Sequence, residues 1–236
     1  MNNTNVIKYS EEINFWINEI KNYEKWFNGE IKEHYKTPSP KDNEKIIARN
    51  IKDSAILTWL EKHQKVKYLH DLKLSQSDFK NLKVLDLGSG PFPNALALTE
   101  IKELYALDPL LSDYIKAGFP IHYEDKVKFV SSYAEEMPFE DNFFDVILTL
   151  NAIDHFDNLI QTSKEIQRVL KPNGFFIAHV HYHKATITEP LEINDNIFKE
   201  AFEWCSNLKK IYEKKNKFGH QCDESESYAL WSNYHL

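Results

Sequence analysis

Apolar positions recur at helical spacing near the start of the chain. Ile13, Trp16, Ile17, Ile20 and Tyr23 fall on one face of a segment from Ser10 to Asn28, which predicts an amphipathic helix with Ser10 as its N-cap. Asn28-Gly29 ends it, and Thr37-Pro38-Ser39-Pro40 forms a stiff connection. A second helical run, from about Asn43 to Lys62, carries Ile47, Ile51, Ile56 and Trp59, and Leu69 to Phe79 reads as a short helix or loop. Beyond residues 75–80 the pattern changes to short apolar runs alternating with helical stretches, which predicts a parallel sheet with helices on both faces. The strands are placed at Lys83–Leu87, Glu103–Leu107, Val127–Ser131, Phe144–Leu150 and Phe175–Val180. Helices are placed at Asn94–Glu100, Leu111–Ala117, Leu159–Leu170 and Asn194–Leu208, the third stopped by Lys171-Pro172-Asn173-Gly174. Lys210–Glu213 and Tyr228–Tyr234 read as a hairpin on the sheet edge. The fold class is therefore α/β, a Rossmann-like, doubly wound and mostly parallel sheet with a C-terminal antiparallel hairpin. The expected division is 1–75 as a helical segment able to act as a lid, and 76–236 as the core.

Composition narrows the function. With 29 Lys and Arg against 36 Asp and Glu, the net charge of −7 opposes the phosphate neutralisation that nucleic-acid binding requires. The lysines at 209, 210, 214, 215 and 217 are interrupted by Glu213 and followed by Asp223, Glu224 and Glu226, so they read as a solvated face. Cys205 and Cys222 lack any paired motif, which suits a reducing compartment. No stretch approaches the length of a membrane span, and the expected location is the cytoplasm. Abundant Lys, Asn and Ile with scarce Gly and Arg suit an AT-rich bacterial genome.

The chemistry is concentrated at Val84-Leu85-Asp86-Leu87-Gly88-Ser89-Gly90-Pro91, a buried strand running into a glycine turn. In doubly wound folds such a turn lies at the carboxyl ends of the strands, where a nucleotide-like ligand crosses the crevice. Asp108 follows Asp86 by 22 residues and ends the second strand, the place from which a carboxylate can receive both ribose hydroxyls. The alternative, of less weight, is that it caps the helix that begins beside Pro109. Phe92-Pro93 breaks G-x-G-x-x-G and argues against a nicotinamide dehydrogenase.

These residues resemble the class I S-adenosylmethionine-dependent methyltransferase family. The resemblance continues, in the family's order, through Tyr133-Ala134-Glu135-Glu136-Met137-Pro138-Phe139, Asn142-Phe143-Phe144-Asp145-Val146-Ile147 and Arg168-Val169-Leu170-Lys171-Pro172-Asn173-Gly174-Phe175-Phe176. It implies that Asp86, Gly88, Ser89 and Gly90 border the methionine part of S-adenosylmethionine and that Asp108 holds its ribose. It further implies that Tyr133 and Ala134 lie at the adenine and Asn151 beside the sulfonium, with S-adenosylhomocysteine as product. Tyr133 stands where many relatives carry an acid, so stacking and backbone groups would hold the base.

For the acceptor, Asn151-Ala152-Ile153-Asp154-His155-Phe156 places an imidazole and a carboxylate together. His155 could take an acceptor proton while Asp154 orients it, or could serve only in binding or packing. His179, His181 and His183 alternate along a strand end and share one face. That spacing permits Zn, Ni or Mn, but methyl transfer needs no metal, so no metal is expected. His181 and His183 are taken as acceptor-binding residues and His179 as structural. Trp16 and Trp26 could share a helix face; packing is the principal expectation, with Trp16 the one placed at the acceptor. The acceptor expected is a small polar metabolite, sugar-like or phosphorylated, methylated on oxygen. An overall similarity to methyltransferases of bacterial surface-polysaccharide pathways points the same way. N-methylation of a small amine and a non-catalytic S-adenosylmethionine-binding module stay open.

Overall fold

The computed structural model describes residues 3–65, 72, 74–119, 126–217, 220–221 and 225–234. Seven strands form one sheet: β1 (Lys83–Leu87), β2 (Glu103–Leu107), β3 (Lys128–Val130), β4 (Phe144–Leu150), β5 (Leu170–Tyr182), β6 (Lys209–Lys214) and β7 (Ser227–Ser232). Their spatial order is β3-β2-β1-β4-β5-β7-β6. The first five are parallel, and β7 pairs antiparallel with both β5 and β6. The predicted hairpin thus joins the sheet with its second strand inward. β5 starts earlier than expected because Phe144 pairs with Leu170 and the ladder resumes with Val146 opposite Phe175, leaving Lys171–Gly174 looped out.

Alternation along the strands feeds two cores. Val84, Val146, Leu148 and Ile177 face one side, which is covered by α1 (Asn3–Phe27) and α2 (Ile51–Trp59) through Trp26, Ile56 and Trp59. Leu85, Leu87, Ile147, Phe176 and Ala178 face the other, covered by α4 (Leu159–Val169) and α5 (Asp195–Ala201). A shorter helix, α3 (Leu111–Lys116), follows β2. The N-terminal helices therefore share a continuous core with the sheet.

Several boundaries differ from the sequence expectation. α1 begins seven residues before Ser10 (10 − 3 = 7), whose hydroxyl instead bonds back to the Ile7 carbonyl at 2.8 Å. Gly29, at φ +76°, ends α1 by letting Glu30 N bond to Lys25 O. The second helix begins at Ile51 rather than Asn43, because Asn50 accepts from Asp53 N and caps it; Ile47 is left 80% exposed. Residues 94–97 make only a 3₁₀ turn, since the Asp86 carboxylate captures Ala95 N. Of the run from Leu69 to Phe79, Leu69 lies outside the described residues and Gln76–Phe79 forms a 3₁₀ turn. Among the described residues, no helix is long and apolar enough to cross a membrane.

Candidate functional site

The glycine turn sits where the strand order reverses, between β1 and β4, the place at which open α/β sheets leave a crevice beyond their carboxyl ends. Gly88 and Gly90 have φ of +71° and +58°, a region costly to side chains. A Cβ at Gly88 would come within 2.5 Å of the Ala152 Cβ, so the turn is pressed against the loop after β4. Asp108 organises both walls: Oδ2 accepts from Gly90 N at 2.9 Å and Oδ1 from Leu110 N at 2.8 Å. Burial pushes its carboxyl up to about 6 against those two donors. Asp86 is wholly buried beneath the turn and bonded to Ala95 N at 2.8 Å; burial pushes it up to about 7. It is not among the residues that line the cavity, and so supports the turn from behind.

Between this turn and α1 lies a cavity of about 250 Å³. Gly88, Ser89, Gly90, Asp108, Tyr133, Ala134 and Asn151 line one end, as do Leu107, Phe92 and Tyr114. The helix contributes Lys8, Tyr9, Glu12, Phe15, Trp16, Glu19 and Tyr23 as a roof. Trp16 lies over the turn, its ring 3.5 Å from where a Gly90 Cβ would stand, with its indole N–H donating to Glu12 Oε1 at 2.8 Å. Lys8 pins the helix across the opening, donating to the His155 carbonyl and pairing with Asp157 Oδ1 at 2.7 Å. Trp26, ten residues on, is fully buried and donates to the Thr37 carbonyl at 3.0 Å, so the two tryptophans serve different ends.

Among the described lining residues, five carboxylates (Glu12, Glu19, Asp108, Glu135, Asp157) face one lysine, Lys8. That balance favours a cationic or neutral ligand over an anionic one. Glu19 stays ionised deep in the wall: burial raises its pKa, but hydrogen bonds from His34 and Asn22 bring it below the usual value.

His155 lines the cavity and lies between two carboxylates, with Nδ1 3.7 Å from Glu12 Oε2 and Nε2 3.7 Å from Glu189 Oε1. The expected Asp154–His155 pairing is corrected. Both residues belong to a 3₁₀ turn (Ile153–His155), where neighbours diverge by about a third of a revolution, and Asp154 meets His183 instead at 3.2 Å. That bond, against the opposing effect of burial and together with the bond to the Lys184 carbonyl and the charge of Glu189, raises the His183 pKa to about 9. His181 and His183 are not lining residues; Tyr228, which lines the cavity, stacks on His181 at 4.4 Å and on His179 at 5.1 Å, and His183 packs against His181 at 4.4 Å. All three histidines share a face as their alternation requires, with His179 deepest.

Sequence reading missed Glu12, Glu19, Tyr35, Trp59, His63, Glu135, Thr188 and Tyr228 as cavity residues, and Glu189 as a partner of three histidines. Glu12 had one signal, its i,i+4 spacing from Trp16 on the helix. Glu189 had none, because an irregular segment brings it there.

Comparison with known proteins gives this geometry a context. Residues 85–178 match a family model described as a methyltransferase domain. The chain is 32% identical over 104 residues to the uncharacterized methyltransferase YcgJ of Bacillus subtilis, covering 42% of this chain and 41% of that protein. It is 28% identical over 124 residues to demethylmenaquinone methyltransferase of Chlorobaculum tepidum, covering 51% and 46%. To sterol 24-C-methyltransferase of Gibberella zeae it is 34% identical over 100 residues, covering 40% and 26%. The aligned segments thus span less than half the length of these relatives. The crystal structure of YcgJ from Bacillus subtilis superposes with a TM-score of 0.52 at 19% identity, covering 69% of this chain and 97% of that one. A possible histamine N-methyltransferase from Thermotoga maritima does so with a TM-score of 0.52 at 13% identity, covering 76% and 94%. At these identities the structural likeness speaks to the fold.

Proposed function

We propose that this chain, whose residues 85–178 match a methyltransferase domain, is a class I S-adenosylmethionine-dependent methyltransferase that binds S-adenosylmethionine between the glycine turn and α1 and methylates a small-molecule acceptor. The observation that carries this reading is the joint bonding of Asp108 to Gly90 N and Leu110 N at the lip of the cavity. Each carboxylate oxygen keeps a lone pair for a ribose hydroxyl while its other one fixes the turn. Within the N-terminal segment 1–75, helix α1 acts as the lid, 76–236 form the catalytic core, and the reaction takes place in the cytoplasm.

When bound, S-adenosylmethionine supplies an electrophilic methyl group on a cationic sulfonium. The carboxylates of Glu12, Glu135 and Asp157 favour that charge. Ala134 and Tyr133 border the adenine, and Asn151 the reacting end. The chain's main contribution is alignment, since holding nucleophile and methyl carbon in line removes much of the entropic barrier. His155 accepts the acceptor's hydroxyl proton, and Glu12 and Glu189 on either side of the ring stabilise the imidazolium formed.

The acceptor is a small hydroxylated molecule, methylated on oxygen; a sugar-like intermediate of surface-polysaccharide biosynthesis is one such compound. The excess of carboxylates on the wall weighs against a phosphorylated one. A second reading, N-methylation of a small amine, is favoured by one feature: ionised Glu19 beside Tyr23, Tyr35 and Trp59 makes an aromatic wall suited to a cation.

The test is methyl transfer to paired hydroxyl and amine acceptors by wild type and His155→Ala. Oxygen transfer falling about 10²-fold in kcat, with S-adenosylhomocysteine affinity unchanged, is the expected result. A mutant with near-normal kcat and KM on its acceptor would remove His155 from the chemistry, and turnover of amines alone would select the second reading.

A further inference from the structure

One cluster of side chains touches the proposed methyl transfer only through Glu189, which also stands beside His155. Asp154, His181, His183 and Glu189 each bring one nitrogen or oxygen within 4.8 Å of the others. They come from three places: the 3₁₀ turn after β4, the end of β5 and the segment that follows it.

His183 Nδ1 lies 2.7 Å from the Lys184 carbonyl, which can only accept, so Nδ1 carries a proton. Nε2 then faces Asp154 Oδ2 at 3.2 Å. A neutral ring would present a lone pair to a carboxylate there, so something positive must lie between them: a second proton or a metal ion. Fixing one imidazole nitrogen on a backbone carbonyl so that the other is turned inward is the usual support for a metal-binding histidine.

His181 repeats the arrangement with carboxylates. Nδ1 is 3.9 Å from Glu189 Oε1 and Nε2 is 3.7 Å from Glu226 Oε2. Two atoms here are buried without a hydrogen-bond partner among the described residues, Asp154 Oδ1 and His181 Nε2. Asp154 is wholly buried, where an unsatisfied carboxylate oxygen is costly.

We propose that Asp154, His181, His183 and Glu189 form a binding site for one divalent first-row transition ion. Two imidazoles and two carboxylates, without a thiolate, suit Zn²⁺, Co²⁺, Mn²⁺, Fe²⁺ or Ni²⁺. Ligand bonds of about 2.1 Å bring donor atoms to within about 4.2 Å of each other, so modest side-chain rotation closes the present spread. The ion would replace the bridging proton and tie the segment after β5 to the turn that carries His155, next to the acceptor end of the cavity.

The test uses the full chain, tag-free and stripped with a chelator. Co²⁺ is titrated and followed by its visible d–d absorption, and Zn²⁺ is then used to displace it. The site predicts one Co²⁺ per chain, displaced by Zn²⁺, with affinity reduced about tenfold or more in both Glu189→Gln and His181→Ala. Both variants leave the buried Asp154–His183 pair in place, and near-ultraviolet circular dichroism checks that they fold. Absence of saturable Co²⁺ binding to wild type overturns the proposal and leaves the four residues as proton-bridged ion pairs. Binding undiminished in both folded variants overturns it equally. No methyl donor or acceptor enters the assay, so its failure leaves the methyltransferase reading intact, and failure of that reading leaves the metal site untouched.

Discussion

The two ends of the cavity are built from different materials. At the end proposed for the methyl donor, residues 86–91, 107–110, 133–134 and 150–152 are short contiguous pieces at or shortly after the carboxyl end of a strand, and backbone groups hold them together through Asp108 and the two positive-φ glycines. At the acceptor end, Glu12, Glu19, Trp59, His155, Thr188 and Tyr228 are brought together from across the chain. The methyltransferase-domain match at 85–178 takes in the first set and only His155 of the second. On the proposed reading, family likeness therefore informs the donor end, while the acceptor end is lined mainly by parts of the chain outside the matched segment.

If this comparison holds, backbone changes at the donor end should have the largest effect. Gly88→Val places a branched side chain at φ +71° and against Ala152, and should weaken S-adenosylhomocysteine binding by about 3 kcal/mol or more, roughly 100-fold, as read by calorimetry. Unchanged affinity would show that the turn does not approach the ligand. A smaller effect is expected for Trp16→Ala, which opens the roof over Gly90. Donor affinity should fall about tenfold, because the ring stands over the glycine turn, and acceptor KM should rise as well on the proposal that Trp16 also meets the acceptor. A change in KM alone would confine the helix to the acceptor end.

Acid gives the mildest perturbation. The Asp108 carboxyl is raised by burial to about 6, and the proposed ribose contact uses its ionised form. Ligand binding must therefore draw the proton off, and affinity should be constant above about pH 7 and fall through pH 6, approaching tenfold per unit below it. Calorimetry in two buffers of different ionisation enthalpy would detect the released proton. An affinity flat from pH 7.5 to about 5 would mean that Asp108 does not titrate or does not touch the ligand.

The same contrast explains how far the sequence could be read. Strands β1, β2 and β4 were legible to the residue because each is a short buried run bounded by turn residues. The glycine turn and Asp108 were legible because their spacing follows strand geometry. The helix expected from Asn94 failed because a distant carboxylate, Asp86, decides the local backbone, and the one expected from Asn43 failed because Ile47 mimicked a helical apolar face. The cap at Asn50, with Asp53 three residues on, was a signal available to the eye. Asp154 was given the wrong partner because adjacency in sequence suggested His155, whereas the 3₁₀ turn sends the two side chains apart. Glu189 reaches the histidines through an irregular segment that carries no period.

The central claim is that the cleft beneath α1 receives S-adenosylmethionine through Asp108, and titration calorimetry with S-adenosylhomocysteine on wild type and Asp108→Ala, with NAD as the competing ligand, tests it most directly. The account predicts saturable one-to-one binding by wild type, a loss of about 2–4 kcal/mol in the variant, and no heat from NAD. Equal binding by wild type and a folded Asp108→Ala protein, or binding of NAD in place of S-adenosylhomocysteine, would contradict it.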